Sequence, residues 1–116
     1  MKCYFDYNGT VPSGVEVVRE GKITRIYFDF ATEQKQLDGE EPVTVLAAEN
    51  VDVVGISRSE IVSAIVRDRY PQDRVEAILA NGSDTEAHAA EMAAFQQWRA
   101  KAKEVADAAV AIIVGE

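Results

Sequence analysis

The side chains best suited to nucleophilic or metal chemistry in this 116-residue chain are one histidine, one cysteine and a scatter of serines. Asp84, His88 and Glu91 fall at i, i+4 and i+7, so a helix would carry all three on one face. Three N/O ligands from one helix can hold a divalent ion if a second segment closes the site. The spacing has a simpler reason. Acids in a first helical turn favour the helix dipole, and an exposed histidine beside them needs no ion, so no metal and no cofactor is expected. Cys3 has no base within sequence reach apart from the distant His88 and is expected as a small core hydrophobe. As the only cysteine it forms no internal disulfide. Ser57, Ser59, Ser63 and Ser83 lack a nucleophile elbow, and the glycines are isolated turn residues rather than a phosphate loop. Asn8-Gly9-Thr10 and Asn81-Gly82-Ser83 match a glycosylation sequon but read as turns. No catalytic residue emerges, and the chain is expected not to be an enzyme.

Two groups of residues could instead make contact surfaces. Tyr4, Phe5, Tyr7, Tyr27, Phe28 and Phe30 fall in strand-like segments, where aromatic faces can stack bases or sugars. The formal net charge of −8 removes the electrostatic half of a nucleic-acid platform. Core packing plus ordinary two-sided strand chemistry is the expectation for these rings. Arg58, Arg67, Arg69 and Arg74 cluster in sequence and read as a solvated helix face. The acidic balance also argues against an anionic membrane surface. No apolar run reaches the ~20 residues of a membrane span. The first residues lack the apolar core of a signal peptide.

The elements that must position these residues divide the chain into a β-rich half, 1–55, and a helical half, 56–116, of a single domain. Cys3, Phe5 and Tyr7 alternate with Tyr4, Asp6 and Asn8, and Asn8-Gly9 turns. Val15 to Glu20 and Ile23 to Phe30 flank Gly21-Lys22, a two-residue type II′ hairpin turn. That loop pairs Glu20 with Ile23, Val17 with Ile26 and Val15 with Phe28, so turn and hydrophobic pattern agree. A second break covers residues 37–42, after which Val43 to Val54 suits one long strand or two short ones. The expectation is an antiparallel sheet of three or four strands.

Ser57-Arg58-Ser59-Glu60 fits a capping box before a helix with Ile61 and Ile65 inward and Val62 and Val66 less strictly so. Pro71 breaks that helix and opens a short second one with Val75, Ile78 and Leu79 inward, closed by a left-handed cap at Asn81-Gly82. Ser83-Asp84-Thr85-Glu86 fits a second capping box and starts a long third helix. Along it Phe95, Trp98, Ala102, Val105, Ala109 and Ile112 recur at spacings of 3, 4, 3, 4 and 3, a single stripe. The fold class is therefore α+β, with three helices after the sheet and the last packed on it. A helix from Asp84 to Val114 would run ~45 Å, whereas strands of six to eight residues give a sheet of only ~20–27 Å. The excess, around Val105, Ala109, Ile112 and Ile113, is expected to be an exposed apolar strip. Soluble monomers rarely keep one, so a two-fold antiparallel homodimer through these four residues follows.

Ile61 to Tyr70, continuing to Asp73 and Ala77 to Asn81, and then Phe95 to Glu104, resemble a loose group of small prophage-type proteins of gut bacteria. Similar helical ends occur in phage tail and fibre-associated proteins. The likeness spans roughly residues 56–106 and brings no catalytic residues. It implies a phage-derived structural or protein-interaction module, located in the bacterial cytoplasm or in a virion. Its partner would be a protein or a second copy, with no nucleic acid, no membrane and no identified small-molecule substrate. A small ligand-binding or enzyme-like domain with a pocket between sheet and helices is one alternative. An acidic decoy of a nucleic-acid-binding protein is another.

Overall fold

A computed structural model describes residues 1–36 and 38–115. Four strands and three helices follow one another: β1 (Lys2–Asp6), β2 (Glu16–Glu20), β3 (Ile23–Lys35), β4 (Val43–Val54), α1 (Arg58–Arg69), α2 (Gln72–Asn81) and α3 (Glu86–Val114). The class is α+β. The strands make one antiparallel sheet in the order β1-β4-β3-β2. Gly21 takes φ 58°, the positive angle that the first position of a type II′ turn needs. The turn sets Glu20 opposite Ile23 and Val17 opposite Ile26. Val43–Val54 is a single strand. The break before it, 37–42, begins at Leu37, which lies outside the described residues.

The centre of the sheet is longer than its sequence pattern predicts. Thirteen residues in β3 and twelve in β4 pair along their lengths, apart from one irregularity between Phe28 and Ala31. There two β3 residues, Asp29 and Phe30, oppose Ala48 alone, which is a bulge. Asp29 adopts φ 54°, the sole non-glycine at positive φ among the described residues. Aspartate tolerates this region better than most side chains. The bulge divides the sheet. On the hairpin side Thr24, Ile26 and Phe28 of β3 and Val51 and Val53 of β4 point toward the helices and are buried. Thr24 spends its hydroxyl locally, donating to the Gly55 carbonyl at 2.6 Å. On the far side β1, Ala31–Lys35 and Val43–Ala48 contribute nothing to the main buried cluster. The Cα radius of gyration is 16.8 Å, against about 13 Å for a compact domain of this length. The far end of the sheet is an arm beyond the core.

Helix α1 runs back antiparallel along α3, and three contacts fix the register. Arg58 Nε donates to Asp107 at 2.5 Å, Trp98 Nε1 donates to the Ile65 carbonyl at 2.9 Å, and the rings of Tyr70 and Phe95 meet edge to face at 5.1 Å. Trp98 also lies 6.0 Å from Phe28, so the stripe on α3 packs on the sheet face bearing Ile26 and Phe28, with Val15 and Val17 at its margin. Phe95 differs, because it packs within the helical layer.

Helix starts and phases depart from the sequence pattern in instructive ways. Ser57 is the N-cap of α1 but makes no capping bond, and its hydroxyl pairs with that of Ser59 at 2.9 Å. The box at Ser83 is not used either. Thr85 caps α3, its hydroxyl accepting the His88 N–H at 3.1 Å. Pro71 is the N-cap of α2 rather than its first residue, and Gly82 closes it at positive φ with ψ −127°, outside the left-handed helical well. Ile78 is buried, but Leu79 is 54% exposed. At the end of α3, Ile113 rather than Ile112 turns inward. A 3-4-3-4 spacing drifts ~20° per heptad on a straight helix. Ile113, eighteen residues after Phe95, returns to its phase at 3.6 residues per turn.

Candidate functional site

The four residues expected to form an exposed interaction strip do not form one. Val105, Ala109 and Ile113 are buried within the single chain, and Ile112, 37% exposed, alone faces out. The overhang lies at the other end of α3. No residue from Glu86 to Ala94 is buried, whereas all seven buried positions of the helix fall between Phe95 and Ile113. The reason is the α1 register: α1 starts opposite Asp107 and ends opposite Phe95, so α1 and the hairpin end of the sheet flank the C-terminal two thirds. Only α2 accompanies the beginning.

The sequence-derived metal candidates separate in part. Asp84 pairs with His88 Nδ1, and that contact holds the Asp84 carboxyl below its usual range. Among the described residues no three His, Cys, Asp or Glu side chains converge on a common point. Cys3 is half-buried, its thiol donating to the Ala48 carbonyl at 3.4 Å. The aromatic residues do not make one platform. Phe28 is core; Phe5 and Tyr27 meet edge to face at 5.4 Å on the sheet side away from the helices; Tyr4 lies on the other side under the Lys35 ammonium at 3.7 Å.

The arginine cluster gives the most informative outcome, because folding splits it. Arg58 pairs with Asp107. Arg69 stacks on Trp98 with its guanidinium carbon 3.6 Å from the ring centre, and reaches Glu49 at 3.8 Å. Arg67 instead borders a groove of about 380 Å³ between α1, α2 and α3, with Arg99 of α3 also lining it. The apolar side chains there are Val62 and Val66 from α1, Val75 and Leu79 from α2, and Phe95 from α3. Ser63 and Gln72 add polar groups, and the Tyr70 ring closes one part, with Arg74 4.9 Å over it. Among the described residues no carboxylate lies within ion-pair distance of Arg67, Arg74 or Arg99. In a chain with 20 acids and 12 Lys and Arg, two guanidiniums without a carboxylate lining one apolar groove, and a third over its Tyr70 ring, are a local inversion of the overall charge. Sequence spacing hid it, because Arg99 lies far along the chain from Arg67 and only the packing of three helices brings them to one groove.

A second cleft, about 340 Å³, lies where sheet and helices meet, lined by Pro12, Gly14, Phe28, Asp29, Lys101 and Glu104 among others. Its Asp29 and Lys101 are engaged with each other at 2.6 Å. On the sheet side away from the helices, Arg25 donates to both oxygens of Asp52 at 2.7 and 3.2 Å, holding that carboxyl below its usual range. No helix among the described residues is long and apolar enough to cross a membrane. No family model, no curated protein and no solved structure matches this chain.

Proposed function

We propose that this protein is a non-catalytic interaction module, of the structural, phage-derived kind that its helical half resembles, and that it docks a partner protein on its helical layer. The observation that carries this reading is the open groove between the three helices. Val62, Val66 and Val75 are only half-buried there and Leu79 is exposed. Apolar side chains gathered on a concave surface between helices supply the area that protein recognition uses. The groove shape suits a helix. An extended segment would bring backbone N–H and C=O groups to a site bordered by helices, with no strand edge to pair them, while a helix satisfies its own.

The test is a titration of isotope-labelled protein with an 18-residue synthetic helix carrying a leucine ridge and glutamine flanks. Amide shifts confined to residues around Val62, Val66, Val75 and Leu79 are expected, and Leu79→Lys should abolish them. Shifts centred on the sheet, or none up to millimolar peptide, would overturn the reading.

A further inference from the structure

Resting on that docking reading, we infer that the partner segment is an amphipathic helix whose apolar ridge is flanked by carboxylates, and that Arg67 and Arg99 select it. The groove offers charge complementarity to such a segment. Both guanidiniums border the groove, Arg74 stands near its Tyr70 end, and none of the three has a carboxylate partner among the described residues. The other arginines of the helical half are already engaged, Arg58 with Asp107 and Arg69 with Glu49 and the Trp98 ring. The two groove arginines are left without a carboxylate among the described residues, Arg99 donating only to the Gln96 amide oxygen at 3.4 Å.

The overall charge of −8 does not contradict this preference. At physiological salt, charges farther than ~8 Å are largely screened, so a bound carboxylate is governed by the guanidiniums beside it. Arginine also suits the task, since its planar fork can take a carboxylate bidentately while its stem lies along apolar surface. The two cations line the groove beside an apolar floor rather than forming an isolated charged patch. That arrangement favours a partner offering both a ridge and acids over a polyanion such as nucleic acid, which has no ridge to place.

The experiment uses the full chain and three synthetic 18-residue helices with the same leucine ridge and Glu, Gln or Lys flanks. Dissociation constants are read by fluorescence anisotropy at low and high salt. At low salt the Glu-flanked helix should bind ~5–10-fold more tightly than the Gln-flanked one and the Lys-flanked helix more weakly by a similar factor, with the spread narrowing at high salt. R67E/R99E should reverse the order, and R19E, on the edge strand β2 and outside the groove, should leave it unchanged. Arg67 and Arg19 are exposed and Arg99 is half-buried, so circular dichroism should confirm an intact fold. Equal affinities for the three helices would overturn the charge selection while leaving the docking reading standing. Binding of none would overturn both. A preference weakened as much by R19E as by R67E/R99E would assign it to net charge and overturn the groove. A dimer in light scattering of the protein alone, dissolved by R67E/R99E, would make a second copy the occupant and overturn the separate partner.

Discussion

The two parts of α3 share an alanine-rich composition and one continuous helix, yet they live in different surroundings. From Glu86 to Ala94 no side chain is buried; from Phe95 to Ile113 seven are. Helix propensity does not explain the contrast, since alanine and glutamate favour the first part at least as much as alanine, with the weaker helix formers valine and isoleucine, favours the second. Neighbours separate them. The later part lies against α1 and the sheet and supplies Phe95 and Arg99 to the groove; the earlier part lies beside α2 alone. A helix in a protein draws most of its stability from the packing of one face. The earlier part is therefore a local surface presented by a helix that is held elsewhere.

The largest test of this contrast is Trp98→Ala. The indole packs on Phe28, carries the Arg69 guanidinium on its face and donates to the Ile65 carbonyl. Its loss should cost ~3–5 kcal/mol in urea unfolding. Met92→Ala, six residues earlier on the same helix and only half-buried, should cost ~1 kcal/mol or less. Equal losses at the two positions would erase the distinction between the parts.

Next in size is overpacking. Ala102, Ala106 and Ala109 have no exposed surface, and small residues at these positions let α3 approach its neighbours closely. Ala109→Leu forces about three extra carbons into a filled contact and should destabilise by ~1–3 kcal/mol. The same change at Ala93, which is exposed, should move stability by no more than ~0.5 kcal/mol. A tolerated Ala109→Leu would mean that the C-terminal part of α3 is not held against the sheet.

Much of this contrast could be read from residue order, and the unread part has physical causes. The hairpin at Gly21-Lys22, its register and the Phe95-to-Ala109 stripe follow from turn chemistry and periodicity, which are local. Which end of α3 overhangs is not local. It depends on where α1 starts and ends beside it, a register fixed by Arg58–Asp107 and Tyr70–Phe95 across long sequence separations. The extension of β3 past Phe30 to Lys35 was concealed by the bulge at Asp29 and Phe30, which breaks its alternation, while Ala47 and Ala48, both buried on opposite faces of β4, left open whether Val43–Val54 was one strand or two. The groove was concealed for the same reason as the overhang, since three helices contribute to it. Caps are local but degenerate: Ser83-x-x-Glu86 fits a box before α3, yet the structure uses Thr85. Thr85→Ala should therefore cost ~1 kcal/mol, while Ser57→Ala, whose hydroxyl makes no capping bond, should cost little. Thermal melts of the two variants decide between them, and a larger loss at Ser57 would restore the sequence-based assignment.

The smallest expected effect concerns the ion pair that pins the buried part of α3 to α1. Arg58 donates to Asp107 and lowers its carboxyl below the usual range. A carboxyl whose folded value is depressed contributes stability that is fully present above its unfolded value, ~3.9, and disappears as pH falls through the folded value. Asp107→Asn removes that contribution and leaves a side chain of similar shape. The melting temperatures of the two proteins should differ most between pH 5 and 8, with the parent higher, and converge as pH falls through the depressed folded value, where Asp107 becomes protonated. Both side chains are exposed, so the difference is small, and its pH dependence is the informative part. High salt should shrink it at neutral pH by screening the pair. A difference of constant size from pH 3 to 8 would mean that Asp107 acts through helix packing rather than charge. A reversed sign at neutral pH would mean that Arg58 does not hold it, and would remove one of the three contacts that set the register of α1 along the buried part of α3.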